Sequence, residues 1–159
     1  MWNVLTHKIV LRIMLGIGFL ILSPALQAFE VQVGTFFEIE KIAYKKGHLV
    51  MPVTHRKYHD VRVLDQETFL WLETCQNKEV CKQAVTLLPF ALEHLRPVST
   101  DKEMWIADVS FGEKWLVTFL IFKQGNKYLL KVPDVFKFLD IRYGQQVEEM
   151  IVQAIEDRQ

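Results

Sequence analysis

The chain has 159 residues, with 19 Lys and Arg against 19 Asp and Glu, and half of its residues are hydrophobic. This length is typical of one domain. The apolar fraction is too high for a disordered chain, and 24% charged residues argue against a protein with many membrane spans. Two cysteines are too few for a dense disulfide scaffold or for a four-thiolate zinc site.

Residues 1–28 have the pattern of a cleaved secretory signal. The segment contains two basic residues and no acidic one, then an apolar run over 13–22, then the letters SPALQA. As a helix the apolar run would span about 15 Å, only half of a hydrocarbon core of about 30 Å. The pattern predicts cleavage after Ala28. Cleavage after Ala25 is the second choice, and an uncleaved anchor over 9–22 is the alternative.

Residues 29–159 are then expected to form one exported domain without a permanent membrane span. This mature chain has 131 residues and a net charge of −2, and it is long enough to bury a core of its own. Neither Asn77 nor Asn126 begins an N-glycosylation acceptor, which fits a bacterial exported protein.

The two cysteines, Cys75 and Cys81, are expected to form a disulfide in an oxidising compartment. On one continuous helix, six residues would separate the two Cα atoms by about 9 Å of rise, beyond the limit of about 7 Å for a bridge. The chain must therefore turn between them. A redox-active pair would more usually have Cys-x-x-Cys spacing, and a metal site would need further ligands nearby. The spacing therefore predicts a structural staple between two helices.

Alternating apolar residues predict strands in the first part of this domain. One or two strands over 29–42 are interrupted at Gly34. A turn follows at 45–47, and a second strand over 49–53 contains a proline, which favours an edge position or a bulge. A short third strand is predicted at 61–63.

Two helices are predicted next. Asp65 is a good N-cap for a helix that runs towards Cys75. The apolar residues of 78–88 have helical spacing and precede Pro89, which predicts a second helix. With the disulfide between them, the two helices would form a stapled helical hairpin.

The last part of the chain predicts a sheet and a closing helix. Three apolar runs within 104–132 are separated by turn residues, which indicates an antiparallel meander whose middle strand is central. A helical turn is predicted at 135–141, and an amphipathic helix over 147–155 with Glu148 and Glu149 in its first turn. The predicted fold class is therefore α+β: a small single domain with an antiparallel β-meander, a disulfide-stapled helical hairpin and a C-terminal amphipathic helix.

The sequence offers little for covalent catalysis or nucleotide binding. The mature chain contains only two serines, Ser99 and Ser110, and neither lies in Gly-x-Ser-x-Gly. No glycine-rich phosphate-binding motif is present. We therefore predict no cofactor. One local alternative is a metal site built from His55, His59 and Asp60, although the Glu of a His-Glu-x-x-His motif is absent.

The segment 41–62 is strongly basic, with six basic residues and one acidic residue. If the strands near Val50 and Val61 pair, its charged loops would share one sheet edge and could attract an acidic partner. The slightly acidic mature chain argues against nucleic acid. The predicted binding residues are Lys45, Lys46, His48, His55, Arg56, Lys57, His59 and Arg62.

These observations predict a periplasmic or secreted binding or accessory protein without enzymatic activity. Its partner would be another envelope or extracellular protein, and an envelope secretion or transfer assembly is one setting for it. Two alternatives stay open at this point: a small metal-dependent hydrolase that uses His55, His59 and Asp60, and a secreted enzyme inhibitor.

Overall fold

The computed structural model describes residues 27–53, 60–98 and 103–158. Apart from its last two residues, the predicted signal lies outside these ranges. Within them the elements are, in chain order, β1 (Ala28–Val33), β2 (Phe37–Lys45), β3 (His48–Val50), β4 (Val61–Val63), α1 (Gln66–Glu73), β5 (Val80–Gln83), β6 (Phe90–Pro97), β7 (Met104–Phe111), β8 (Trp115–Gln124), β9 (Lys127–Lys131), β10 (Phe136–Phe138) and α2 (Ile141–Glu156).

The strands form two five-stranded sheets. In the first sheet the order is β10-β2-β1-β5, and β3 also pairs with β2. In the second sheet the order is β4-β8-β7-β6, and β9 also pairs with β8. Every described pairing is antiparallel except that of β1 with β5, which is parallel.

A hydrophobic core lies between the two sheets. Its residues alternate along the strands, as Val31 and Val33 do in β1 and Val109 and Phe111 do in β7. All four side chains are fully buried. The ring centroids of Phe37 in the first sheet and Phe111 in the second are 5.2 Å apart. Burying side chains of this size contributes about 1.5–3 kcal/mol each to the free energy of folding, so this interface dominates stability.

The two helices cover opposite sides of this sandwich. Helix α2 contacts β6, at one edge of the second sheet, and β10, at one edge of the first. Helix α1 contacts β4, at the other edge of the second sheet. The disulfide between Cys75 and Cys81 joins the turn after α1 to β5, the other edge of the first sheet. The chain is therefore a small α+β domain whose core is enclosed by two sheets and two helices.

Several predicted turns and strands are confirmed. Lys46 and Gly47 have φ angles of 53° and 79° and form the two-residue turn between β2 and β3. Gly125, with φ 62°, begins the turn between β8 and β9. Strands β7, β8 and β9 pair antiparallel in chain order, and β6 extends this arrangement by one strand. The short strand at 61–63 is present as β4.

One half of the predicted helical hairpin is confirmed, and the other half is wrong. Asp65 is the N-cap of α1, and its carboxylate accepts a hydrogen bond from the backbone N–H of Thr68 at 2.8 Å. Residues 78–88 contain strand β5 instead of a helix, with Cys81 opposite Val31 of β1. The pairing of β5 with β1 overrides the helical spacing of this segment, because β1 already pairs with β2 along one edge and β5 completes its other edge. The disulfide is present, and it joins the turn after α1 to strand β5.

The C-terminal amphipathic helix is confirmed, but it begins earlier than predicted. Asp140 is its N-cap and accepts a hydrogen bond from the backbone N–H of Tyr143 at 3.2 Å. Glu148 and Glu149 therefore lie beyond the first turn. The helical turn predicted over 135–141 is wrong, because that segment contains strand β10, which pairs with β2. Neither of the two described helices is long and apolar enough to cross a membrane.

Candidate functional site

The structure places the predicted binding residues that it describes on two different sheets. Lys45, Lys46 and His48 are exposed on the β2–β3 hairpin of the first sheet. Arg62 is exposed on β4 of the second sheet. Because β3 and β4 belong to different sheets, the strands near Val50 and Val61 do not pair, and the condition for one shared sheet edge is not met. The other four predicted residues lie outside the described part of the chain: His55, Arg56, Lys57 and His59.

Arg62 belongs to a group of polar side chains on the outer face of the second sheet. In β7, Asp108 and Ser110 alternate with core residues, so they point away from the core. Thr118 of β8 lies directly opposite Asp108 and shares this face. We call this group the outer polar cluster, and its members are Arg62, Glu93, His94, Asp108, Ser110 and Thr118.

Asp108 is the centre of the outer polar cluster. The hydroxyl of Thr118 donates a hydrogen bond to Asp108 Oδ1 at 2.6 Å. Arg62 Nη2 lies 3.7 Å from the same oxygen, and His94 Nδ1 lies 3.9 Å from Oδ2. The side chain of Asp108 is only 11% exposed, whereas those of Arg62 and His94 are 45% and 75% exposed. A buried carboxylate, fixed by a buried hydroxyl, thus lies beneath two accessible basic groups.

A second carboxylate, that of Glu93, is fixed in the same way by Ser110, which lies two residues beyond Asp108 in β7. The hydroxyl of Ser110 donates a hydrogen bond to Glu93 Oε1 at 2.5 Å. Ser110 and Thr118 are both buried, and each hydroxyl holds a carboxylate in place. This is a positioning role, and neither oxygen is presented to solvent as a nucleophile would be.

A β-bulge explains why Glu93 and His94 lie on one face. The pairing of β6 with β7 shifts by one residue between Leu92 and His94, so Glu93 is the extra residue. Consecutive residues of a regular strand point to opposite faces. Here Leu92 and Leu95 both pack against the core, and the two residues between them both contact polar groups of β7.

The outer polar cluster borders an open cleft of about 490 Å³, which we call the arginine cleft. The charged and polar side chains that line it are Arg62, Glu93, His94, Arg96, Asp108 and Arg158. Arg158 follows α2 and donates a hydrogen bond from Nη1 to the backbone carbonyl of Leu95 at 2.6 Å. The cleft is therefore assembled from β4, β6, β7 and the end of the C-terminal helix.

The outer face of the first sheet has a different character. Lys137, Glu38, Gln32 and Lys82 lie in one row across four strands. Lys137 Nζ donates to Glu38 Oε1 at 3.0 Å, and this hydrogen bond, with the negative charge of Glu38, raises the pKa of Lys137. These charges alternate in sign on an exposed surface, where ion pairs contribute little to stability. We interpret this face as an ordinary solvated surface.

The alternative metal site receives no support from the described residues. Asp60 is buried, and its backbone carbonyl accepts a hydrogen bond from the backbone N–H of Thr118 at 2.8 Å. Its proposed partners, His55 and His59, lie outside the described ranges. Within those ranges, no group of three His, Cys, Asp or Glu residues is placed to hold a metal ion.

The sequence analysis missed most of the outer polar cluster. Only Arg62 was predicted as a binding residue, because it belongs to the basic segment. A usable signal was the pattern Leu92-Glu93-His94-Leu95, in which two polar residues separate two apolar ones. Comparison of the chain with protein-family models, with curated proteins and with solved structures finds no match.

Proposed function

We propose that the chain is an exported binding or accessory protein, periplasmic or secreted, that has no enzymatic activity and meets another envelope or extracellular protein. An envelope secretion or transfer assembly is the setting that we propose for it. The outer polar cluster is the observation that carries this proposal. Its exposed basic groups lie on a sheet whose strands are fixed by pairing, which suits recognition of a partner surface.

Three further observations support the proposal. The disulfide between Cys75 and Cys81 is typical of proteins that fold outside the reducing cytosol. The leader pattern over 1–28 predicts how the chain would reach that compartment. The described hydroxyls of the site, those of Ser110 and Thr118, orient carboxylates, as expected for a binding surface.

Export can be tested by intact-mass and N-terminal analysis of the protein recovered from the envelope and the medium. We expect a chain that begins at Phe29 and contains an oxidised cysteine pair. A chain that begins at Leu26, from the second cleavage choice, would also support export. A full-length, reduced chain that is confined to the cytosol would refute it.

Binding can be tested by cross-linking the exported protein in intact cells and identifying its partners by mass. We expect one protein to be recovered in constant ratio with the chain. Reversing the charge of Arg56 and Lys57 to Glu should weaken recovery and leave the melting temperature nearly unchanged, because the basic segment was predicted to contribute. Recovery of no partner from envelope or medium would count against the proposed function.

A further inference from the structure

The distribution of arginine over the surface points to the arginine cleft as a recognition site. The described part of the chain contains four arginines, and three of them, Arg62, Arg96 and Arg158, line this one cleft. No lysine of the described ranges lines it, although lysine is the more frequent basic residue of the chain. Arginine is enriched and lysine depleted at protein interfaces, because the planar guanidinium pairs with carboxylates through two parallel hydrogen bonds.

Arg62 and Arg158 keep guanidinium donors for a ligand. Arg62 Nη2 is 3.7 Å from Asp108 Oδ1, which is longer than a hydrogen bond. Arg158 uses Nη1 on the carbonyl of Leu95, and a guanidinium has five N–H donors. The negative charge of Asp108 attracts the guanidinium of Arg62, and the side chain of Arg62 stays exposed. The basic groups are therefore held in place and stay accessible.

The charge of the cleft indicates which anion it suits. Three guanidinium groups and two carboxylates, those of Glu93 and Asp108, leave a net charge of +1 when His94 is neutral. The carboxylates of buried Asp108 and exposed Glu93 would repel a dianionic phosphate, and a single carboxylate matches both this charge and the fork geometry of arginine. We infer that the arginine cleft binds one Glu or Asp side chain at a time from an acidic segment in the partner protein. This inference rests on the proposed function.

The direct test is a titration of the isotope-labelled, exported protein with an acidic peptide, Ac-GEEGEE-NH₂, followed by NMR. We expect resonances of Arg62, His94 and Arg96 to shift, and we expect the matched peptide Ac-GQQGQQ-NH₂ to leave them unchanged. Arg62→Glu and Arg96→Glu should each weaken binding by about tenfold or more. Arg142→Glu is the control, because Arg142 is exposed on α2, carries the same charge and does not line the cleft.

A second variant tests the same inference if charge reversal next to Asp108 disturbs folding. Arg62→Lys retains the positive charge and removes the fork, so binding should weaken while the melting temperature is retained. Equal binding of the peptide by all four variants, or equal binding of the Glu and Gln peptides, would overturn the inference. Inorganic phosphate that binds more tightly than the peptide would overturn it in favour of a phosphate ligand.

Two further measurements test whether the cleft binds a second copy of the chain and whether it contributes to partner binding in cells. Self-association seen by sedimentation and abolished by Arg62→Glu would assign the cleft to a second copy of the chain and overturn the inference. Cross-linking in cells then tests the role of the cleft separately from the proposed function. A partner recovered equally by wild type and by Arg62→Glu would refute the role of the cleft and leave the proposed function standing. No partner for either chain would refute the proposed function itself.

Discussion

The hydroxyl of Tyr143, in the first turn of α2, donates a hydrogen bond to the backbone carbonyl of Leu88 at 3.0 Å. Leu88 lies in the connection between β5 and β6, so this bond ties that connection to the C-terminal helix. The ring of Tyr143 packs against those of Phe36 and Phe90, with centroids 4.8 and 5.3 Å away. Burial raises the pKa of the hydroxyl far above its ordinary value, so it stays protonated and acts as a donor.

Replacing Tyr143 by Phe should therefore lower the free energy of unfolding by about 1 kcal/mol, because the buried carbonyl of Leu88 loses its donor. Tyr44→Phe is the matched control. The hydroxyl of Tyr44 is buried and has no hydrogen-bond partner among the described residues, so its removal should be neutral or slightly stabilising. Urea denaturation of both variants measures the difference. Equal losses would show that the Tyr143 hydrogen bond adds nothing.

The N-cap of α1 predicts a pH-dependent contribution to stability. Burial alone would raise the pKa of Asp65, but hydrogen bonds from Thr68 and the charge of Lys114 hold this pKa below its ordinary value. A lowered pKa in the folded state means that the charged carboxylate stabilises the fold above the unfolded pKa of about 3.9. The contribution is lost as the pH falls through the lower, folded value.

We expect Asp65→Ala to cost about 1 kcal/mol at neutral pH, and the difference from wild type to shrink in acid. Asp65→Asn keeps a capping oxygen without the charge, so it should retain most of the stability at neutral pH. Thermal unfolding of the three proteins from pH 7 to pH 2 provides the measurement. A penalty for Asp65→Ala that is independent of pH would contradict the assignment.

The disulfide fastens one side of the sandwich, whereas α2 on the other side is held by packing and by the hydrogen bonds of Tyr143 and Arg158. Changing both Cys75 and Cys81 to Ala should lower stability by about 2 kcal/mol, the chain-entropy value for so short a loop. Hydrogen exchange should accelerate mainly in α1 and β5, whereas α2, on the opposite side, should keep its protection. Uniform acceleration would argue against a local role, and two titratable thiols in the unreduced exported protein would show that the bridge is absent.

The turn between β1 and β2 has no room for a side chain at Gly34. Its φ of 52° is unfavourable for other residues, and an added Cβ would lie 2.5 Å from the backbone oxygen of Val85. Gly125 has a φ of 62° and nothing within 4 Å of such an atom. Gly34→Ala should therefore be clearly more destabilising than Gly125→Ala, which carries only the cost of backbone strain, about 1 kcal/mol. Similar melting temperatures for the two variants would contradict the close contact.

The features that the sequence predicts well are those whose signals are local. Asp65 as a cap, the Lys46-Gly47 turn and the Gly125-Asn126 turn are each decided by a few neighbouring residues, and all three are confirmed. Strand β5 was missed because its pairing with β1 joins distant parts of the chain. Strand β6 pairs with the next strand, β7, and was missed because its apolar residues do not alternate regularly across the bulge at Glu93. The helical spacing of apolar residues over 78–88 could not reveal that pairing.

The candidate site was hidden by a similar ambiguity. Ile39-Glu40-Lys41-Ile42 in β2 and Leu92-Glu93-His94-Leu95 in β6 share one pattern, and each coincides with a shift of strand register. A spacing of three between apolar residues fits a helix as well as a bulged strand. Only the pairing with a neighbouring strand distinguishes the two, so the site could not be assembled from the sequence alone.

The contact between Arg158 and the carbonyl of Leu95 has a practical consequence for handling the protein. Strand β6 is the outermost strand of its sheet, and exposed edges of this kind recruit strands from other molecules. A chain shortened to end at Ile155 would lose this guanidinium, the last residue of α2 and the C-cap Asp157. We expect such a product to form intermolecular β-structure on storage, so fusion tags removed by proteolysis should leave Arg158 intact.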